Sequence, residues 1–223
     1  MSKKFIIDGK FRSLIDLHRH DCRSKRQKLR RFDGEDLYND LVIIYNEFSK
    51  YLPSSVSNVL DVGCGLGYID VVINDNLNDC NFYMFDAMNT VNVTQVRDFY
   101  SNLKLTKKFM VEHGVDADSI FLVDASKTGM DRSINKDPKC FSSIPKMDLV
   151  VSMYSWGWHF PLEKYIKEVS DITSKDGLLV LECKNQSGPI STADREVVLN
   201  SNGFDLIDVA GEERRHRIIA RRL

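Results

Sequence analysis

Cysteine and proline are scarce in this chain, with five of each among 223 residues. The cysteines, at positions 22, 64, 80, 140 and 183, are odd in number and form no CxxC pair. That spacing excludes a disulfide framework and the common zinc-binding patterns, and it suits reduced thiols in a cytoplasmic compartment. Long apolar runs are missing as well: none approaches the ~18 residues that a bilayer span requires. The N-terminal MSKKFIIDGKFRS has basic residues but no apolar h-region, so no signal peptide is expected. Nor is one sign of charge in excess, because 31 Lys and Arg face 32 Asp and Glu, a formal net charge of −1. Such a balance gives no global attraction to nucleic acid or to an anionic membrane. Tryptophan is the scarcest aromatic residue, and both indoles fall in one stretch, SMYSWGWHFPLEKY, from Ser152 to Tyr165. With 43% apolar and 28% charged residues and no internal repeat, the chain reads as one large globular domain.

The first residues, 1–54, read as a basic arm followed by a helix, and residues 55–223 as the main domain. Within the arm, RSKRQKLRR (Arg23–Arg31) has two readings, a phosphate or nucleic-acid contact and a solvated face. HRHD (His18–Asp21) has the spacing of no common metal site, so no metal is expected. In DGEDLYNDLVIIYNEFSKYLP the apolar residues Leu37, Leu41, Ile44, Phe48 and Tyr51 recur at helical spacing, with Asp33 as cap and Pro53 as stop. Thereafter the period changes. VSNVLDVG, NFYMFDA, SIFLVDA, MDLVVSMY and GLLVLECK read as buried strands, and YIDVVINDNL, LKLTKKFMVEHG, PLEKYIKEVSDIT and TADREVVLNSNG as helices between or after them. Strands alternating with helices predict an α/β protein: a doubly wound, mostly parallel sheet covered on both faces. FDLIDVA and HRIIARR bring the sheet to seven strands. Only GEER separates these two, too little for a parallel crossover, so the last strand is expected to be antiparallel.

The sharpest local signal is VLDVGCGLGY, Val59–Tyr68. Glycines at 63, 65 and 67 between a strand and a helix let the backbone turn tightly and approach a ligand closely. A dinucleotide fingerprint would need its third glycine at position 68, where Tyr68 stands. Three of the strands end in carboxylates, Asp61, Asp86 and Asp124. Ligands of open α/β sheets sit outside the carboxyl ends of the strands. Acids there suit a ligand with a cation and sugar hydroxyls and would repel a diphosphate. Asp70 and Asp75, on the helix after the glycines, read as solvated.

LDVGCGLG, the acid-terminated strands and DLVVSMYSW together resemble class I S-adenosylmethionine (SAM)-dependent methyltransferases, over about residues 55–223 and in the same element order. The resemblance implies a Rossmann-like fold and an enzyme that converts SAM to S-adenosylhomocysteine (SAH). It implies that Gly63, Cys64, Gly65 and Gly67 wrap the methionine part of the cofactor. Asp61 would orient the loop and the cofactor amino group. Asp86, with Ala87 beside it, would take the ribose hydroxyls, as an acceptor-only carboxylate can. Asp124 and Ala125 would meet the adenine, and Ser152 completes the cofactor set. The N-terminal extension is a candidate cover for the active site. MNTVNVTQVRDFYSN (Met88–Asn102) is longer than the usual step after the second strand, a departure from the family pattern.

SMYSWGWHFP then falls at the carboxyl edge where the methyl is delivered. It lacks the (N/D)PP(Y/F) of amino-group methyltransferases acting on adenine, cytosine and glutamine, which argues against those acceptors. It is similar to the S-W-G-[FW]-H-[FY]-P of small methyltransferases that modify sugars and glycans. That similarity implies a sugar hydroxyl as acceptor and His159 as its general base, a role its unperturbed pKa near ~6.5 suits. The alternative is a histidine that packs under the following helix. Tyr154, Trp156 and Trp158 are candidates for the acceptor wall, with one indole expected in the core and the other in the pocket. Glu182, Lys184 and Asn185, at the end of the fifth strand, are candidates to bind acceptor hydroxyls. The first reading is therefore an O-methyltransferase acting on a glycan or other small molecule, with nucleic acid not expected as a partner and the oligomeric state open. A second is an RNA or protein methyltransferase that uses the basic arm. A third is a non-catalytic relative, which would be expected to carry a broken glycine loop.

Overall fold

The computed structural model describes residues 5, 34–86, 102–124, 144–153, 155–157, 161–184, 192–212 and 215–223. Strands β1 (Asn58–Val62), β2 (Asn81–Asp86), β3 (Ile120–Asp124), β4 (Met147–Ser152) and β5 (Thr173–Lys184) pair in parallel, and their apolar runs are explained by cover on both faces. β6 (Phe204–Glu212) and β7 (Arg215–Arg222) follow. The seven strands lie in the order β3-β2-β1-β4-β5-β7-β6, and β7 runs antiparallel to both neighbours. The expected fold class is borne out, with the antiparallel strand inserted beside β5 rather than placed at the edge.

Alternate residues of each strand separate two cores, as a period of two requires. Val59, Met84, Val151, Val180 and Ile219 face helices α1 (Gly34–Ser49), α2 (Tyr68–Asn76) and α3 (Leu103–Glu112). Leu60, Phe85, Val150, Leu181 and Ile218 face α4 (Ile166–Ile172) and α5 (Thr192–Ser201). Helix α1 belongs to the first core through Leu41, Ile44, Tyr45 and Phe48, all buried. Polar ties fix its position. The Tyr38 hydroxyl donates to Asp75 at 2.6 Å, the Tyr51 hydroxyl to Asp208 at 2.8 Å, and the Arg217 fork grips Glu47.

Two elements differ from their sequence expectation. PLEKYIKEVSDIT is not one helix: Pro161 leads into a 3-10 turn, Leu162–Lys164, and the chain leaves helical geometry at Tyr165 before α4 begins. Leu162 and Tyr165 are both buried on the same core, and the break seats both. Strand β5 begins at Thr173, before GLLVLECK, because Asp176 takes a left-handed conformation (φ 64°) opposite a register irregularity between Met147 and Leu149. Aspartate tolerates that region better than most side chains. No described helix is long and apolar enough to cross a membrane.

Candidate cofactor and acceptor site

The order β2-β1-β4 makes the carboxyl end of β1 a topological switch point, where connections leave in opposite directions and a crevice opens. The glycine loop lies there. Gly63 and Cys64 donate their N–H groups to Phe85 O at 2.7 and 3.3 Å, which stitches the loop to the end of β2. Gly65 N–H donates to Asp86 Oδ2 at 3.0 Å, and the Thr106 hydroxyl of α3 holds Gly65 O. Gly63, Gly65 and Gly67 have φ of 77°, 54° and 76°, which other residues seldom adopt. Their surroundings differ. A Cβ built on Gly63 would lie 1.8 Å from Ser155 Oγ, so the β4 loop presses on the glycine loop at that point. A Cβ built on Gly67 would lie 2.9 Å from Met110 Sδ. At Gly65 nothing among the described residues lies within 4 Å, so that side of its backbone is open toward them. Cys64 is buried and contributes through its backbone, while burial pushes its thiol well up.

Asp61, next to last in β1, precedes this loop and is almost fully buried. Asp70, in the first turn of α2, is fully buried and close enough for the two carboxyls to shift each other's titration. Asp61 Oδ1 and both Asp70 oxygens meet no donor among the described residues. Burial pushes Asp61 well above the carboxylate range, and the nearby Asp70 and then Asp86 push the same way. Asp70 is pushed up to about 6 by burial, against a smaller downward pull from Asp61 beside it. The expectation that Asp70 is solvated is thus corrected. YIDVVI sets that acid inside an apolar run, which was the available signal. Asp75 is exposed as expected. Asp86 and Asp124 stand side by side in register at the ends of β2 and β3.

Past β4 the chain folds back over the sheet edge. Ser152 is buried, and its hydroxyl donates to Val62 O at 2.6 Å and accepts from Trp156 N–H at 2.9 Å. That hydroxyl serves the loop. Trp156 is fully buried, edge-on to Tyr165, and its indole N–H donates to Leu162 O at 3.1 Å and Pro161 O at 3.3 Å. Trp156 is therefore the core indole, and its candidacy for the acceptor wall is corrected. Gly157 follows at φ 90°, where a Cβ would come within 3.2 Å of Glu182 O and 3.0 Å of Cys183 Sγ. This close approach to β5 requires the glycine between the tryptophans.

Glu182 is fully buried on the α1 side of the sheet, 3.8 Å from Arg217. It belongs to an ionic link that runs through Arg217 to Glu47. Lys184 ends β5. Ala87, Ala125, Tyr154, Trp158, His159 and Asn185 lie outside the described residues, as do His18–Asp21, Arg23–Arg31, Asp33 and the residues numbered 88–101. Sequence reasoning also missed Thr106 and Ser155, which hold the glycine loop from α3 and from the β4 loop; neither position carries a local signal. Among the described residues no three metal-ligating side chains cluster.

Residues 26–215 match the family model described as a methyltransferase domain. No curated protein matches the chain in sequence. Solved structures do match in fold. A SAM-dependent methyltransferase from Aquifex aeolicus superposes with a TM-score of 0.59 at 12% identity, covering 94% of this chain and 98% of that one. Magnesium protoporphyrin IX methyltransferase from Synechocystis with bound SAH gives 0.57 at 13% identity, covering 95% of each chain. Mitomycin 7-O-methyltransferase gives 0.55 at 11% identity over 85% of this chain, which spans only 55% of that enzyme's length.

Proposed function

The chain belongs to the methyltransferase-domain family, and from that premise we propose that it is a SAM-dependent O-methyltransferase of a glycan or other small molecule. The observation that carries the cofactor reading is the pairing of Gly65 with Asp86 at the β1–β4 switch point. An open, left-handed glycine there has its N–H held by a carboxylate at the strand end. The residues present fit SAM. Gly65 leaves room for backbone approach, and Asp61 has a buried oxygen without a donor among the described residues. The acids suit a ligand whose amine and sulfonium are cationic. Asp61 would face the amino group, Asp86 the ribose and Asp124 the adenine. When bound, SAM supplies a methyl group on a sulfonium for in-line transfer.

What the chain's own residues must do is align the acceptor and manage one proton. As the acceptor C–O bond forms, the hydroxyl proton passes to a base, for which His159 is the proposed group. Trp158 and Tyr154 remain the proposed acceptor wall, with Lys184 and Asn185 beside them. Trp156 Nε1 anchors the start of this loop to the turn after Pro161. The small-molecule reading is supported by the fold likeness to enzymes named for mitomycin and magnesium protoporphyrin.

His159→Ala should lower kcat by about 10²–10⁴, the usual scale for a lost general base, and leave SAM affinity intact. Unchanged turnover would remove the base assignment. Transfer of labelled methyl from SAM to panels of glycans, phenols and RNA tests the acceptor class. Glycan or phenol labelling that persists at raised salt is expected. Labelling confined to RNA and lost steeply with salt would overturn the proposal in favour of nucleic acid.

A further inference from the structure

Two acids lie buried against each other beneath the loop proposed to hold SAM, and the cofactor chemistry above uses only one of them. Asp61 lies one residue before the end of β1, and Asp70 enters from the first turn of α2. Both are cut off from solvent and close enough to act on each other, and three of their four oxygens meet no donor among the described residues. Two such carboxylates are costly while both are ionised, because each offers only acceptors, no donor meets them among the described residues, and their charges repel in a poorly solvated space. One proton shared between them relieves both costs. The titratable groups that face the pair are Asp86 at the end of β2 and the Cys64 thiol of the loop, and no described cation faces it. Asp86 adds negative charge, and the buried thiol stays neutral.

We propose that Asp70 is a positioning residue for cofactor binding: the proton it shares with Asp61 sets the charge of Asp61, and arrival of the SAM ammonium displaces that proton to solvent. The inference rests on the SAM reading above. Its physical basis is reciprocal. A cation beside the pair favours the ionised form, so the pair must release a proton as the cation binds, and binding must tighten as pH rises through the pair's titration. The elevation of both acids agrees with a pair that still holds a proton near neutral pH. The consequence is a ligand-sensitive charge beneath the glycine loop: the pair carries one negative charge when the site is empty and gains a second when an amine arrives.

The test compares the intact protein with Asp70→Asn, whose amide can donate to Asp61 permanently and leave it ionised. SAM is titrated by calorimetry between pH 5.5 and 7.5 in buffers of different ionisation enthalpy. In the wild type, proton release should approach one per SAM, and affinity should rise by up to about tenfold per pH unit, the limit for one exchanged proton. In Asp70→Asn both effects should largely vanish. Titration of the ligand's own amine is common to both proteins and cancels in the difference. Equal pH profiles for the two proteins, or no proton release by the wild type, would overturn the proposal. If Asp70→Asn does not fold, proton release by the wild type still decides. A readout without ligand separates this inference from the cofactor reading: infrared spectroscopy of the free protein near neutral pH should show a protonated buried carboxyl. Its absence would overturn the shared proton whether or not SAM binds. Failure of SAM to bind, with that band present, would instead overturn the cofactor reading and the displacement step.

Discussion

Asp70 and Gly63 show how single positions in the glycine loop are decided by their surroundings rather than by residue type. A buried carboxyl whose pKa is raised on folding makes the native protein hold more protons than the unfolded chain. Between the unfolded value near 4 and the folded value of about 6, stability therefore falls as pH rises. Asp70→Asn should remove that slope. Its stability relative to wild type should be near parity at pH 4 and higher by on the order of 3 kcal/mol at pH 7. Thermal or urea unfolding across that range measures it, and a difference independent of pH would contradict the assignment. Gly63→Ala is expected to act in the opposite sense at every pH. A left-handed backbone costs a non-glycine residue about 1–2 kcal/mol, and the Ser155 side chain occupies the space of the new methyl. A lower midpoint of unfolding together with weaker SAM binding should result, whereas an unchanged midpoint would show that the loop relaxes freely.

At the scale of elements, the described part of the turn between β4 and α4 is tied down at three places. Ser152 ties it to the end of β1, Trp156 ties it to the turn after Pro161, and Gly157 seats it on β5. Trp156→Ala should cost about 3–5 kcal/mol, the scale for deleting a large buried aromatic side chain. A loss below about 1 kcal/mol in chemical denaturation would place the indole at the surface instead. This turn also marks where the sequence stops being readable. The strands were legible because burial on both faces writes them as apolar runs, and the alternation with helices set their parallel order. The short link between β6 and β7 revealed the antiparallel strand. Alternation alone could not say which tryptophan turns inward, since that depends on the break at Tyr165. Glu182 looked like an edge residue in LECKN because its partners, Arg217 and Glu47, come from β7 and α1 far along the chain. Asp70 sat in a helix whose amphipathic face was clear, yet its neighbour Asp61 belongs to another element.

At the scale of the whole molecule, the doubly wound sheet places the carboxyl ends of β1, β2 and β3 together, with Asp61, Asp86 and Asp124 along one edge. The glycine loop closes over that edge, and helix α1 is bound into the same core through Glu47, Tyr38 and Tyr51. The account's central claim is that this edge binds SAM. Calorimetric titration of the intact protein with SAM tests it most directly, alongside Asp86→Ala. The claim predicts saturable binding by the wild type. The variant, which loses the hold on Gly65 N–H and the proposed ribose contact, should bind about 10- to 100-fold more weakly, the scale for losing hydrogen bonds to a charged group. No binding by the intact protein, or equal binding by the two, would contradict it.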